Sequence, residues 1–142
     1  MISKSTLNWL GKMAFDAEQN GHHILIDAKQ ESGGENGGTS PKVLLLTGLA
    51  GCTGMDVVSI LKKMKIEDYE LEIEVTGEQT EEHPVVYHTI TVNYRFQGEN
   101  LPIDKIERAV ELSETKYCGV SAMLRKAADI HNRIFINGEE LK

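Results

Sequence analysis

The feature that most constrains this fold is a long apolar segment, from Pro41 to about Lys65. Thr39 and Ser40 precede it, and hydroxyl residues followed by proline are typical of a helix start. Its apolar residues cover nearly all sides of a helix, whereas an ordinary surface helix carries one apolar stripe. We therefore expect a long central helix that is buried on most sides.

Strand patterns surround this helix in the sequence. Alternating residues and the Asn20-Gly21 pair predict an N-terminal hairpin. After the central helix, we expect strands at 70–76 and 85–96, helices at 103–117 and 121–128, and a last strand at 130–136. This order predicts an α+β fold in one domain spanning 1–142, with helices packed on a largely antiparallel sheet.

Composition and charge exclude several classes of partner. Lys and Arg total 15 against 22 for Asp and Glu, a formal net charge of -7, and only 6% of residues are aromatic. Neither nucleic acid nor an anionic membrane is an expected partner, because both need clustered basic residues. We find no signal peptide and no apolar run near the ~20 residues of a membrane span. The expected location is cytoplasmic, where thiols stay reduced unless they act transiently.

Three glycines interrupt the central helix around Cys52. Gly48, Gly51 and Gly54 each cost about 1 kcal/mol relative to alanine. At helical spacing, two of them share one face with the cysteine. Either another backbone or a ligand approaches closely beside Cys52, or the glycines serve tight helix packing alone. A lone cysteine in an apolar helix is commonly an inert, buried residue.

Cys118 stands in a different setting, in the turn Tyr117-Cys-Gly-Val-Ser121 that opens the third helix. A cysteine at a helix N-terminus can have a lowered pKa. The alternative is a capping or core residue. No zinc site is expected, because there is no Cys-x-x-Cys or His-x-x-x-His pair. No cofactor is expected either, and the glycine-rich segment 32–40 lacks phosphate-loop spacing and is interpreted as a flexible loop.

Together these motifs resemble the OsmC/Ohr family over nearly the whole chain. The segment from Ser40 to Cys52 is similar to that family's central helix, and the Cys118 turn resembles its second cysteine motif. The resemblance implies an intertwined homodimer with both cysteines near the interface. It further implies that Cys52 attacks an organic hydroperoxide and becomes a sulfenic acid. Cys118 then forms a disulfide with it, and a dithiol reductant restores the thiols.

The sequence departs from the peroxidase pattern at two positions. Active members of that family pair an N-terminal arginine with a glutamate early in the long helix. Here Val43 occupies the glutamate position, and no arginine precedes Arg95. Two hypotheses follow: a hydroperoxide reductase with Cys52 and Cys118 as catalytic residues, or a non-enzymatic dimeric redox sensor or hydrophobic small-molecule binding protein. Lys12, Lys29, Lys42 or a histidine could take the place of the arginine, and the rate would then be high already at pH 7. If none of them does, peroxide reduction should be slow at neutral pH and faster towards pH 9.

Overall fold

A computed structural model describes all 142 residues, Met1–Lys142, as two compact units. The N-terminal unit comprises Met1–Leu45 and the C-terminal unit Leu46–Lys142. The expected single domain stays a prediction.

The N-terminal unit is a three-stranded antiparallel sheet. Its strands β1 (Thr6–Gly11), β2 (Ala14–Gln19) and β3 (His22–Ile26) lie in the order β1-β2-β3. The predicted hairpin is confirmed as β2–β3, and Asn20 and Gly21 both have positive φ at its turn. Strand β1 was not predicted. Five of its six residues are exposed, so buried and exposed residues do not alternate along it. The strand is identified by its pairing with β2.

The glycine-rich segment of this unit is a hydrogen-bonded loop, not the flexible loop predicted from its composition. The Asp27 carboxylate accepts backbone N–H bonds from Ala28 at 2.7 Å and Gly37 at 3.0 Å. These bonds hold the pKa of Asp27 below its usual value. A Cβ on Gly34 would lie 2.0 Å from the carbonyl oxygen of Ala28. The glycine there permits close backbone approach.

The C-terminal unit contains a four-stranded sheet. Its strands are β4 (Glu70–Gln79), β5 (Tyr87–Gln97), β6 (Asp129–Ile136) and β7 (Glu139–Glu140), in the order β4-β5-β6-β7. Strands β5 and β6 are parallel and the other neighbours antiparallel. A parallel pair needs a crossover. Here it is made by α2 (Ile103–Leu112), a π-helical turn (Ser113–Tyr117) and α3 (Gly119–Leu124). The predicted α+β class is confirmed.

The central helix α1 (Val43–Lys63) begins two residues later than predicted, because Pro41 and Lys42 form a turn instead of its first residues. Within this chain only one stripe of α1 is buried, comprising Leu46, Leu49, Thr53, Val57 and Leu61. Met55 is 77% exposed, and Val58 is also exposed. The expectation of burial on most sides is therefore wrong for the single chain.

By length and composition α1 could cross a membrane, since its mean hydropathy is 1.8 over an 18-residue window. The sequence predicts no membrane span when only uninterrupted apolar runs are considered, and this finding differs from that prediction. The core helix of a soluble protein meets the same criterion. The core of this unit consists of the buried stripe of α1 and of apolar residues on β5 and α2, namely Ile90, Val92, Tyr94, Phe96, Ile106, Ala109 and Val110.

Candidate functional site

The two cysteines meet in the C-terminal unit, and a carboxylate joins them. The Sγ atoms of Cys52 and Cys118 and a carboxylate oxygen of Asp56 all lie within 4.8 Å of one another. Cys52 and Asp56 are one helical turn apart on α1 and therefore share a face. Both are half-buried, whereas Cys118 is only 4% exposed. The expected proximity of two cysteines separated by 66 positions (118 minus 52) is confirmed.

Ser113 fixes Cys118 and Asp56 relative to each other. Its carbonyl oxygen accepts the Cys118 N–H at 2.8 Å, which closes the π-helical turn. Its hydroxyl donates to Asp56 Oδ2 at 2.9 Å. Ser113 is fully buried, so both bonds are shielded from water. Single π-helical turns are frequent at functional sites, and this one places the second cysteine beside α1.

A chain of buried hydroxyl groups extends behind Asp56. Tyr94 Oη lies 2.5 Å from Thr53 Oγ1, and Thr53 Oγ1 lies 2.9 Å from Ser113 Oγ. Because Ser113 donates its proton to Asp56, Thr53 must donate to Ser113 and Tyr94 to Thr53. Burial raises the pKa of Tyr94 to about 12, so the phenol remains a donor at neutral pH. The chain of donors therefore ends at the Asp56 carboxylate, which is the member that lies beside the thiols.

Sequence reasoning missed Thr53, Tyr94 and Ser113 as parts of this site. A signal existed for Ser113, which follows Ile106 and Val110 on the apolar stripe of α2 at helical spacing. A hydroxyl on such a stripe needs a buried partner. Tyr94 and Thr53 gave no comparable signal, because their contact joins residues 41 positions apart.

The electrostatics of Cys118 are set mainly by its burial. Its thiol does cap α3, where Sγ accepts the Ser121 N–H at 3.3 Å. The pKa of Cys118 is nevertheless raised to about 11, chiefly by burial and also by the neighbouring Cys52 and Asp56, although the Ser121 N–H bond lowers it. Of the two interpretations left open for Cys118, the structure supports the capping and core residue and not the lowered pKa. The dipole of a helix of only six residues lowers the pKa of the thiol less than desolvation and two neighbouring acidic groups raise it.

The surroundings of the site include two cavities. Asp56 lines one of about 260 Å³ together with Ser59, Ile60, Lys63, Leu112 and Tyr117. A larger, open and mainly apolar cavity of about 740 Å³ lies on another side of α1, with Gly51, Gly54, Met55 and Val58 in its lining. Gly54 packs tightly, since a Cβ there would lie 2.9 Å from Ile73 Cδ1. Gly48 and Gly51 have open space in this chain, so tight packing explains only one of the three.

The site can perform dithiol chemistry. A half-buried thiol faces a buried thiol, and a carboxylate beside them can accept or return a proton. A disulfide requires an S–S separation of about 2.05 Å, so the two Sγ atoms must move together from their present separation within 4.8 Å. Side-chain rotation at Cys52 and a small shift of the Cys118 turn would supply this movement.

Comparison with known proteins agrees with this geometry. The family model described as "OsmC-like protein" matches residues 33–132. Protein YhfA of Escherichia coli strain K12 is 35% identical over 128 residues, which are 89% of this chain and 92% of that protein.

Solved structures share the fold. A hypothetical protein from Aquifex aeolicus superposes with a TM-score of 0.84 at 28% identity, covering 96% of this chain and 97% of that one. An organic hydroperoxide resistance protein OsmC from Legionella pneumophila superposes with a TM-score of 0.67 at 20% identity, covering 95% and 97%. Since the family model covers well over half of the chain, this protein belongs to the OsmC-like family.

Proposed function

We propose that this protein reduces organic hydroperoxides through Cys52 and Cys118. The observation that carries the proposal is the meeting of two sequence-distant thiols within 4.8 Å, one half-buried and one buried. Membership of the OsmC-like family supports it. The Legionella protein is named for organic hydroperoxide resistance, and at 20% identity its likeness to this chain supports the fold alone.

The reaction balances with these two residues and an external dithiol. The Cys52 thiolate attacks one peroxide oxygen, the O–O bond breaks, and the organic part leaves as an alcohol after taking a proton. Cys52 becomes a sulfenic acid, oxidised by two electrons. The Cys118 thiol then attacks the sulfenic sulfur, and the disulfide forms with release of water. The external dithiol reduces the disulfide by thiol–disulfide exchange.

Asp56 is suited to accept and donate the protons in this reaction. Its carboxylate lies within 4.8 Å of both sulfur atoms and borders the 260 Å³ cavity. A carboxylate there can take the proton of a thiol and deliver it to the leaving alkoxide. It cannot replace an arginine as a stabiliser of thiolate charge, because its own charge has the same sign. The proposed enzyme is therefore slow at neutral pH.

A second function rests on the 740 Å³ apolar cavity. Gly51, Met55 and Val58 on α1 face Leu71 and Ile73 on β4 around this open space. A hydrophobic small molecule, held there without chemistry, is the alternative, with the thiols acting as a redox sensor. The absence of any arginine before Arg95 favours this alternative over fast catalysis.

The test is the second-order rate of cumene hydroperoxide reduction between pH 6 and pH 10, with hydrogen peroxide alongside. We expect a slow rate at pH 7 that rises towards pH 9, and a preference for the organic peroxide. Cys52→Ser should abolish it. Cys118→Ser should permit one turnover and accumulate a sulfenic acid that a dimedone-type reagent traps. Unchanged consumption of cumene hydroperoxide by Cys52→Ser refutes the proposal. Binding of cumene hydroperoxide to the wild-type protein without its consumption favours the alternative.

A further inference from the structure

From the arrangement of Cys52, Asp56 and Cys118 we infer that the reduced protein binds one divalent cation of the zinc class. The three side chains supply two sulfur atoms and one oxygen, all within 4.8 Å of one another. This goes beyond the hydroperoxide chemistry proposed above and does not depend on it, because it needs only the two thiols in their reduced state.

The distances suit a tetrahedral ion after small movements. Zinc binds cysteine sulfur at about 2.3 Å and carboxylate oxygen at about 2.0–2.2 Å. In a tetrahedron such ligands lie roughly 3.5–3.8 Å apart. The present atoms are within 4.8 Å, so rotamer changes of about 1 Å at the sulfur atoms would complete the site. No fourth protein ligand is needed, because the cavity beside Asp56 can admit water.

Hydrogen bonds already orient two of the three ligands. Ser113 Oγ bonds to Asp56 Oδ2 at 2.9 Å, which leaves Oδ1 for an ion. The Ser121 N–H bonds to Cys118 Sγ at 3.3 Å. Outer bonds of this kind are typical of metal ligands and commonly change affinity by about 10–100-fold when they are lost. Behind Ser113, the hydroxyl groups of Thr53 and Tyr94 hold it in place.

The charges of the ligands suit a divalent cation once binding has deprotonated both thiols. Two thiolates and one carboxylate then carry three negative charges. A divalent ion compensates two of them. Thiolate ligands select zinc-class ions over magnesium and calcium, which prefer oxygen. Binding releases one proton from each thiol to solvent, and no oxidation occurs.

The same thiols cannot hold the ion after forming a disulfide, since a disulfide has no thiolate to donate. Metal binding and oxidation are therefore mutually exclusive states of one site. Sequence inspection missed this ligand set because it sought paired cysteines or histidines at short spacing. Here one cysteine and the aspartate are four residues apart, and the second cysteine arrives from another element.

The experiment is an anaerobic titration of the reduced full-length protein with Co²⁺, followed by displacement with Zn²⁺. We expect one equivalent of Co²⁺ to bind, with sulfur-to-metal charge-transfer absorption in the near ultraviolet and visible bands of a tetrahedral ion. Zn²⁺ should displace Co²⁺ and thereby remove both the charge-transfer absorption and the visible bands. Prior oxidation to the disulfide should abolish binding. Asp56→Asn should weaken Co²⁺ binding at least about tenfold, because it replaces a charged ligand.

Variants make the assignment specific. Cys52→Ser and Cys118→Ser should each weaken binding more than Asp56→Asn and reduce the charge-transfer absorption. Glu72→Gln removes an exposed carboxylate on β4 and should change nothing. Ser113→Ala, which keeps all three ligands, provides a milder test if Asp56→Asn fails to fold. Absence of charge-transfer absorption at saturating Co²⁺, or equal affinity in both cysteine variants and wild type, overturns the inference. Neither result bears on peroxide reduction, which is measured without metal.

Discussion

Cys52 and Cys118 differ in their access to water, and this predicts which thiol reacts first with an alkylating reagent. Cys118 is 4% exposed and burial raises its pKa to about 11, whereas Cys52 is half-buried. At pH 7 iodoacetamide should modify Cys52 several-fold faster than Cys118. Peptide mass spectrometry of the reduced wild-type protein measures both rates. Modification of Cys118 should accelerate between pH 9 and pH 11, and equal rates at pH 7 would contradict the burial argument.

The buried hydroxyl chain should stabilise the fold as a connected set. In Ser113→Ala, Asp56 loses its donor and Thr53 its acceptor, so we expect a loss of about 1–3 kcal/mol in the free energy of unfolding. Thr53→Val removes the neighbouring link. The double variant should lose less than the sum of the two single losses, because the residues share partners. Urea unfolding of the four proteins measures this, and strict additivity would show that the chain does not act together.

At the scale of elements, the glycines of α1 are not equivalent. Gly48 has open space where a Cβ would be, whereas at Gly54 that atom would meet Ile73 Cδ1 at 2.9 Å. Gly48→Ala should raise stability by about 0.5–1 kcal/mol through helix propensity. Gly54→Ala should gain less or lose stability, because Ile73 must move. Thermal unfolding of these matched variants gives the order. A destabilised Gly48→Ala would mean that something outside this chain occupies the space.

The crossover element explains why part of the site was predictable and part was not. The sequence pattern predicts the two cysteine motifs and a helix at 103–117. The structure contains this helix, but it ends early, at Leu112. The π-helical turn from Ser113 to Tyr117 has no sequence signature of its own. It forms because the Cys118 N–H reaches the Ser113 carbonyl. Ser113 is fully buried, and its hydroxyl bonds to Thr53 and Asp56 of α1.

For the whole molecule, the exposed apolar side of α1 predicts a homodimer. Met55 is 77% exposed beside the 740 Å³ apolar cavity, and an obligate interface buries more than about 2,000 Å². Light scattering at micromolar concentration should give twice the mass of one chain. Met55→Asp should shift the protein towards monomer. Met123→Asp, at an exposed methionine outside this cavity, is the matched control, and a monomeric wild type would contradict the prediction.

Global stability should fall at alkaline pH. Tyr94 and Cys118 have folded-state pKa values raised to about 12 and about 11, whereas an unfolded chain ionises near their ordinary values of 10 and 9. The folded state then binds more protons, so its stability is full below pH 9 and is lost as pH rises towards 12. Tyr94→Phe should reduce this loss by about 1 kcal/mol at pH 11, since one pKa unit corresponds to about 1.4 kcal/mol. Urea unfolding at pH 8 to 11 measures it, with exposed Tyr117→Phe as control; identical slopes would contradict it.

Local periodicity, turn residues and short motifs are enough to predict the α+β class, the central helix, the main strands and the two cysteines. The spacing of four residues also places Asp56 one helical turn from Cys52. That Cys118 and Ser113 reach these two residues from another element follows from long-range packing, which the sequence pattern does not show. The structure also decided between the two interpretations of Cys118, in favour of a buried capping residue with a raised pKa. Burial and neighbouring charge arise from long-range packing, and their effect on a thiol exceeds that of a helix only six residues long.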